Sequence, residues 1–84
     1  MWVVYLLECS DGTIYTGITN NLKKRIDKHN SGKGAKYTRA RLPVKLLAYD
    51  DYVDRSEASK VEYLVKKLSR AKKIELIKCW SKSD

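Results

Sequence analysis

Two short runs of β-branched and aromatic residues, 3–7 and 13–18, open the chain on either side of Ser10-Asp11-Gly12. Such runs flanking an Asp-Gly pair predict a β-hairpin. The turn uses two loop residues, Asp11-Gly12, or three, Ser10-Asp11-Gly12 with Gly12 left-handed. The choice matters because a one-residue slip moves every side chain to the other face of the sheet. In the three-residue register Tyr5 lies opposite Gly17 and diagonal to Tyr15, so both phenols share a face. In the two-residue register they point apart. The shared face is expected.

Periodicity then changes from two to about 3.6. Asn20 or Asn21 can cap a helix over 21–30, in which Leu22, Arg25, Ile26 and His29 fall on one face. Lys23, Lys24, Asp27 and Lys28 take the other. The stripe that packs on the sheet therefore contains an arginine and the chain's only histidine. The segment 32–41 reads as a loop carrying Lys33, Lys36, Tyr37, Arg39 and Arg41, a composition suited to phosphate contacts and stacking on a base. It lacks the Gly-Lys-Ser/Thr of a nucleotide-binding loop and follows a helix, not a strand. Pro43 introduces a third extended run, 44–52. Asp54 and Glu57 form a capping box for a helix over 55–68 that buries Ala58, Val61, Val65 and Leu68. Glu62 falls on that buried stripe. A carboxylate there is either ion-paired, for instance with Arg25, or holds a metal, because desolvating it alone is costly. Ser69 caps a last helix reaching 78, with Ile74, Leu76 and Ile77 inward. Lys66, Lys67, Arg70, Lys72 and Lys73 gather where these two helices meet. The pattern specifies an α/β (α+β) fold: a small three-stranded, mostly antiparallel sheet flanked by helices, in the order β-β-α-β-α-α, as one domain spanning 1–84.

Eighty-four residues suffice for a modest core without staples. The net charge of +8 is clustered, which favours a polyanionic partner, nucleic acid before an anionic membrane. With two cysteines and one histidine, neither a zinc site nor a disulfide framework is expected. Cys9 and Cys79 read as small core residues in a reducing cytosol. The apolar start is too short for a signal peptide, and no run approaches transmembrane length. A cytoplasmic protein is expected.

Tyr5 and Tyr15, the latter in Tyr15-Thr16-Gly17, followed by Leu22, Arg25 and His29-Asn30-Ser31-Gly32, resemble the ordered series of the GIY-YIG nuclease superfamily. The series looks like that of the small stand-alone members and is also similar to the GIY-YIG domain of eukaryotic branched-DNA-resolving endonucleases. Glu62-Tyr63 and Lys67-Leu68-Ser69-Arg70 extend the likeness over nearly the whole chain. The resemblance implies a metal-dependent DNA endonuclease, structure- or damage-directed in repair or recombination, using one divalent ion, Mg²⁺ or Mn²⁺. It implies Tyr5 or Tyr15 as general base (Tyr15 being favoured), Arg25 as phosphate clamp, His29 as a group that orients or shares the proton, and Glu62 as metal ligand. Lys33, Lys36, Tyr37, Arg39 and Arg41, with Lys66, Lys67 and Arg70, would contact DNA.

Of three departures from the family pattern, the first should leave the strand intact, because only Tyr5 carries a polar group there, and the other two bear on activity. Val3-Val4 stands where the family has Gly-Ile, Ile18 where the excision-repair nuclease has a lysine, and no asparagine follows Glu62 in the region 72–75. A catalytically weak or inactive nucleic-acid-binding module is therefore the alternative, and a domain meeting an acidic protein partner is a third reading.

Overall fold

A computed structural model describes residues 1–80. Three strands, β1 (Trp2–Glu8), β2 (Ile14–Thr19) and β3 (Lys45–Tyr52), form one antiparallel sheet in the order β2-β1-β3. The helices are α1 (Leu22–Asn30), α2 (Lys36–Arg39), α3 (Arg55–Lys66) and α4 (Arg70–Cys79). The single turn of helix α2 lies inside the segment that reads from sequence as loop. Four residues preceded by two glycines carry too little periodicity to announce it.

The hairpin adopts the three-residue turn. The Cys9 N–H donates to the Thr13 carbonyl and the Gly12 N–H to the Cys9 carbonyl, both at 2.9 Å, with Gly12 at φ +83°. Asp11 Oδ1 accepts from the Thr13 N–H and hydroxyl, which fixes the turn from within. This register sets Tyr5 opposite Gly17 and, across β3, opposite Tyr49. Between Leu6 and Leu7 the β1–β3 pairing shifts by one residue on the β3 side, a bulge that turns Val44 and Leu46 onto the same face as Leu7.

That face holds the main core: Tyr5, Leu7, Cys9, Val44 and Leu46, with Leu22 and Ile26 of α1 packed against it. The opposite face presents Val4, Leu6 and Ala48, all fully buried, and α3 lies against β1 and β2 with Ala58 and Val65 inward. Each of the longer helices starts on a side-chain cap: Asn21 accepts from the Lys24 amide, Asp54 from Glu57 and Ser69 from Lys72. Asn30 ties the end of α1 to the start of β3 through both the N–H and the C=O of Val44.

Two packing expectations are corrected. Cys79 is exposed, unlike Cys9, and Ile74 is 38% exposed. Both belong to α4, which buries no residue fully and lies at the margin of the sheet. Arg70 anchors this helix by donating to the Gly12 carbonyl in the hairpin turn. Among the described residues no helix is long and apolar enough to cross a membrane.

Gly17 is where the hairpin is least tolerant. A Cβ there would lie 2.4 Å from the Tyr5 hydroxyl oxygen and 2.6 Å from its ring, which the core holds in place. Gly17→Ala is expected to destabilise the fold by about 1–3 kcal/mol, as overpacking does. Denaturant unfolding of the variant checks this, and Gly12→Asn, a change of a turn residue in open space, should cost less.

Candidate active site

The three-residue turn and the inward face of α1 bring Tyr5, Tyr15, Arg25 and His29 together. Tyr5 and His29 are both completely buried. The two tyrosine rings lie 6.4 Å apart between centroids, and the His29 ring stands edge-on to each, 6.0 Å from Tyr5 and 5.4 Å from Tyr15.

The hydrogen bonds fix where the protons sit. The Thr38 hydroxyl has one hydrogen, which it donates to the Ala35 carbonyl at 2.9 Å. Its oxygen therefore accepts from His29 Nδ1–H at 2.8 Å. In neutral imidazole Nε2 is then the bare nitrogen, and the Tyr5 O–H donates to it at 2.9 Å. Arg25 Nε–H in turn donates to the Tyr5 oxygen at 3.4 Å. One directed chain runs from Arg25 through Tyr5, His29 and Thr38 to a backbone carbonyl.

Electrostatics agree with this chain. Burial, with the nearby Arg25 cation, lowers the His29 pKa to about 4, so the ring is neutral and able to accept. Burial pushes the Tyr5 phenol up to about 12, against the opposing hydrogen bond from Arg25. The hydrogen bond to Tyr5 raises the Arg25 pKa despite partial burial, and Tyr15 adds to this, so both phenols face a permanent cation.

Glu62 stands outside this hydrogen-bonded group. It comes from α3, is 22% exposed, and pairs with Lys66 at 3.4 Å, not with Arg25. Its charge still reaches the cluster, as a minor cause raising the Tyr5 pKa. The donor set offers one carboxylate, that of Glu62. Among the described residues no group of three or more His, Cys, Asp or Glu could form a cage. That suits a hard divalent cation of the Mg²⁺ kind, which takes one or two carboxylates and completes its shell with water and phosphate oxygens.

The expected DNA contacts divide in two. Several arginines are tied to the fold. Arg41 pairs with Asp11 at 2.9 Å, donates to the Tyr37 carbonyl and lies 3.9 Å from the Tyr37 ring centroid. Arg39 donates to the Gly34 carbonyl and Arg70 to that of Gly12. Tyr37 stacks on Tyr15 at 6.0 Å with Arg41 against its ring, so this aromatic braces the site. Lys67 sits over the Tyr63 ring, whereas Lys33 and Lys36 are exposed.

Thr38 and Gly34 serve the site although neither stands out in the sequence. Thr38 is fully buried, and a Cβ on Gly34 would come within 2.4 Å of His29 Nδ1. The one signal is that a buried histidine needs a partner for its second nitrogen; which residue supplies it is not a matter of periodicity.

Comparison with known proteins gives a consistent picture. A family model described as the GIY-YIG catalytic domain matches residues 1–75. A UPF0213 protein of Desulfotalea psychrophila is 54% identical over 82 residues, covering 96% of this chain and 74% of the relative. One from Streptococcus agalactiae is 55% identical over 75 residues, covering 89% and 85%. The solution structure of a UPF0213 protein from Bacillus halodurans is 51% identical with a TM-score of 0.60, covering 94% of this chain and 85% of that one. The solution structure of the protein EF2693 from E. faecalis is 42% identical with a TM-score of 0.63, covering 92% of this chain and 82% of that one.

The buried neutral His29 makes stability depend on pH. Its folded pKa of about 4 lies below the ordinary value of 6.5, so between these values the unfolded chain binds the extra proton. The contribution is full above pH 6.5 and is lost as pH falls towards 4. The loss amounts to about 3 kcal/mol at most, from about 1.4 kcal/mol per pKa unit. Urea unfolding at a series of pH values checks this: His29→Gln should lower stability at neutral pH and flatten the profile across that window.

Proposed function

Since the chain belongs to the GIY-YIG family, a nuclease family, we propose that it is a divalent-metal-dependent endonuclease hydrolysing DNA phosphodiester bonds in repair or recombination. The observation that carries this reading is the Arg25 guanidinium, held by the buried Tyr5 hydroxyl and facing the half-buried Tyr15.

Hydrolysis of a phosphodiester needs a deprotonated water, stabilisation of charge on the phosphoryl oxygens and help for the leaving oxygen. Arg25 is the fixed cation for the phosphate, and its planar fork can grip two oxygens. The two phenols have separate duties. Tyr5 has a raised pKa and directs its proton at His29, so it positions Arg25 and leaves the water to another group. Tyr15 is the more accessible phenol and is the general base: it takes the water's proton as a phenolate, whose negative charge Arg25 beside it offsets, and becomes neutral as it does so. His29 keeps Tyr5 oriented. Glu62 would hold one Mg²⁺ or Mn²⁺ ion, which when bound neutralises charge at the phosphate. Lys33, Lys36, Arg39 and Lys67 widen the basic surface around the site, with Lys66, Arg41 and Arg70 shaping its walls. The reading places the work in the cytoplasm, where DNA is the polyanion at hand.

The alternative, a binding module with little or no catalysis, is favoured by the Glu62–Lys66 pair, which gives the carboxylate a structural partner.

A cleavage assay with Mg²⁺ or Mn²⁺ on duplex, single-stranded and branched DNA, with a chelator as control, decides between them. Glu62→Gln, Arg25→Lys and Tyr15→Phe should each lower cleavage by roughly two orders of magnitude or more. DNA affinity of Glu62→Gln measured with chelator should hold or rise slightly. Absence of metal-dependent cleavage by the parent protein on all three substrates would establish the binding module instead.

A further inference from the structure

The hydrogen bonds of the hairpin show which way β2 faces. Because Cys9 and Thr13 are a hydrogen-bonded pair, Tyr15, Gly17 and Thr19 direct their backbone groups at β1. Ile14, Thr16 and Ile18 direct theirs outward, along the open edge of the sheet. Two clefts lie beside this strand, and each includes one member of the active-site cluster. The first, of about 180 Å³, is lined by Thr19, Asn20, Asn21, Lys24, Arg25 and Lys28. The second, of about 320 Å³, is lined by Ile14, Tyr15, Thr16, Tyr37, Lys66 and Lys73.

Their chemistry differs. The Arg25 cleft is lined only by polar and charged residues, and Lys24, Lys28 and Arg25 supply three cations without an ion pair among the described residues. The start of α1 adds its positive dipole end. Such a cleft suits a phosphate and sugar. The Tyr15 cleft combines the apolar walls of Ile14 and the two tyrosines with the ammonium group of Lys73 and that of Lys66, which is paired with Glu62. It suits an aromatic, hydrogen-bonding body attached to a phosphate, which is a nucleotide with its base turned in. A base held in a duplex cannot enter such a cleft without leaving its partner.

We propose that one unpaired strand of nucleic acid runs across the open edge of β2 through these two clefts, with Lys24 and Lys28 holding the backbone on one side of the scissile phosphate and Lys73 on the other. The substrate class is an unpaired strand, as in single strands, flaps and unpaired junction arms. This rests on the assignment of Arg25 and Tyr15 to the reacting phosphate. It makes the lysines of the clefts, not the arginines of the segment 32–41, the main electrostatic track. A narrow basic groove with aromatic side chains beside it is how proteins hold single strands without reading sequence.

Lysine footprinting tests the path without requiring cleavage. The intact protein is acetylated in the presence of chelator, alone, with a short oligodeoxythymidylate, or with a blunt duplex, and modification is located by mass spectrometry. The single strand should protect Lys24, Lys28 and Lys73. Lys23, on the same helix but lining a different cleft beside Asp27, should remain reactive. The duplex should protect the cleft lysines much less. In parallel, Lys24→Ala/Lys28→Ala and Lys73→Ala should weaken binding of the oligonucleotide several-fold and reduce its log–log salt slope by about 0.7 for each phosphate no longer neutralised. Equal protection by the duplex, equal protection of Lys23, or failure to bind the single strand would overturn the path. Cleavage of duplex with the cleft lysines unprotected would leave the nuclease standing and the path refuted. Protection by the single strand with no cleavage of any DNA would do the reverse.

Discussion

The hydrogen bond between the Tyr5 hydroxyl and His29 Nε2 is the contact on which the site and the core both depend. Two polar side chains with no exposed surface are a liability unless each group finds a partner, since an orphaned buried donor or acceptor costs about 1–3 kcal/mol. Here the demand is met at both ends. Tyr5 gives its hydrogen to His29 and accepts from Arg25, and His29 passes its own hydrogen to Thr38. The same bond joins β1 to α1 across the core and fixes the tautomer of the histidine. Removing either partner would leave the other unsatisfied in the centre of the molecule.

This arrangement follows from two local decisions made far apart in the chain. The left-handed Gly12 closes a three-residue turn, which aligns Tyr5 with Gly17 and leaves space for the phenol where any side chain would collide with it. The Asn21 cap starts α1 so that Arg25 and His29 share a face with Leu22 and Ile26. Both are legible in the sequence, because turn chemistry and helical spacing are local. The succession of elements and the capping residues of the longer helices are legible for the same reason. Thr38 is not. Its role comes from α2 folding back over α1, a contact between residues nine apart that neither element signals alone. Cys79 and Ile74 mislead because apolar character predicts burial only where an element has a face to bury, and α4 has none well defined.

The distribution of charge is only half visible for a related reason. A run of cations in sequence looks like one patch, yet the fold gives its members different tasks. Arg41 braces the hairpin turn against α2, Arg39 closes on the Gly34 carbonyl, and Arg70 fastens α4. Guanidinium groups, with several directed N–H donors, suit such fixed duties, whereas flexible ammonium groups suit a mobile polyanion. Lys24 and Lys28 of α1, which read in sequence as an ordinary solvated face, border the same cluster as the catalytic candidates.

The proton-orienting chain ends on the carbonyl of Ala35, and that termination has a consequence for mutational drift. A main-chain oxygen is present whatever side chain its residue carries, so the last acceptor cannot be removed by substitution at position 35. Variation there is buffered, while Gly34 beside it and Thr38 three residues on are both confined by the imidazole they serve. Within one short segment, tolerance and intolerance to change alternate according to whether the backbone or the side chain performs the task.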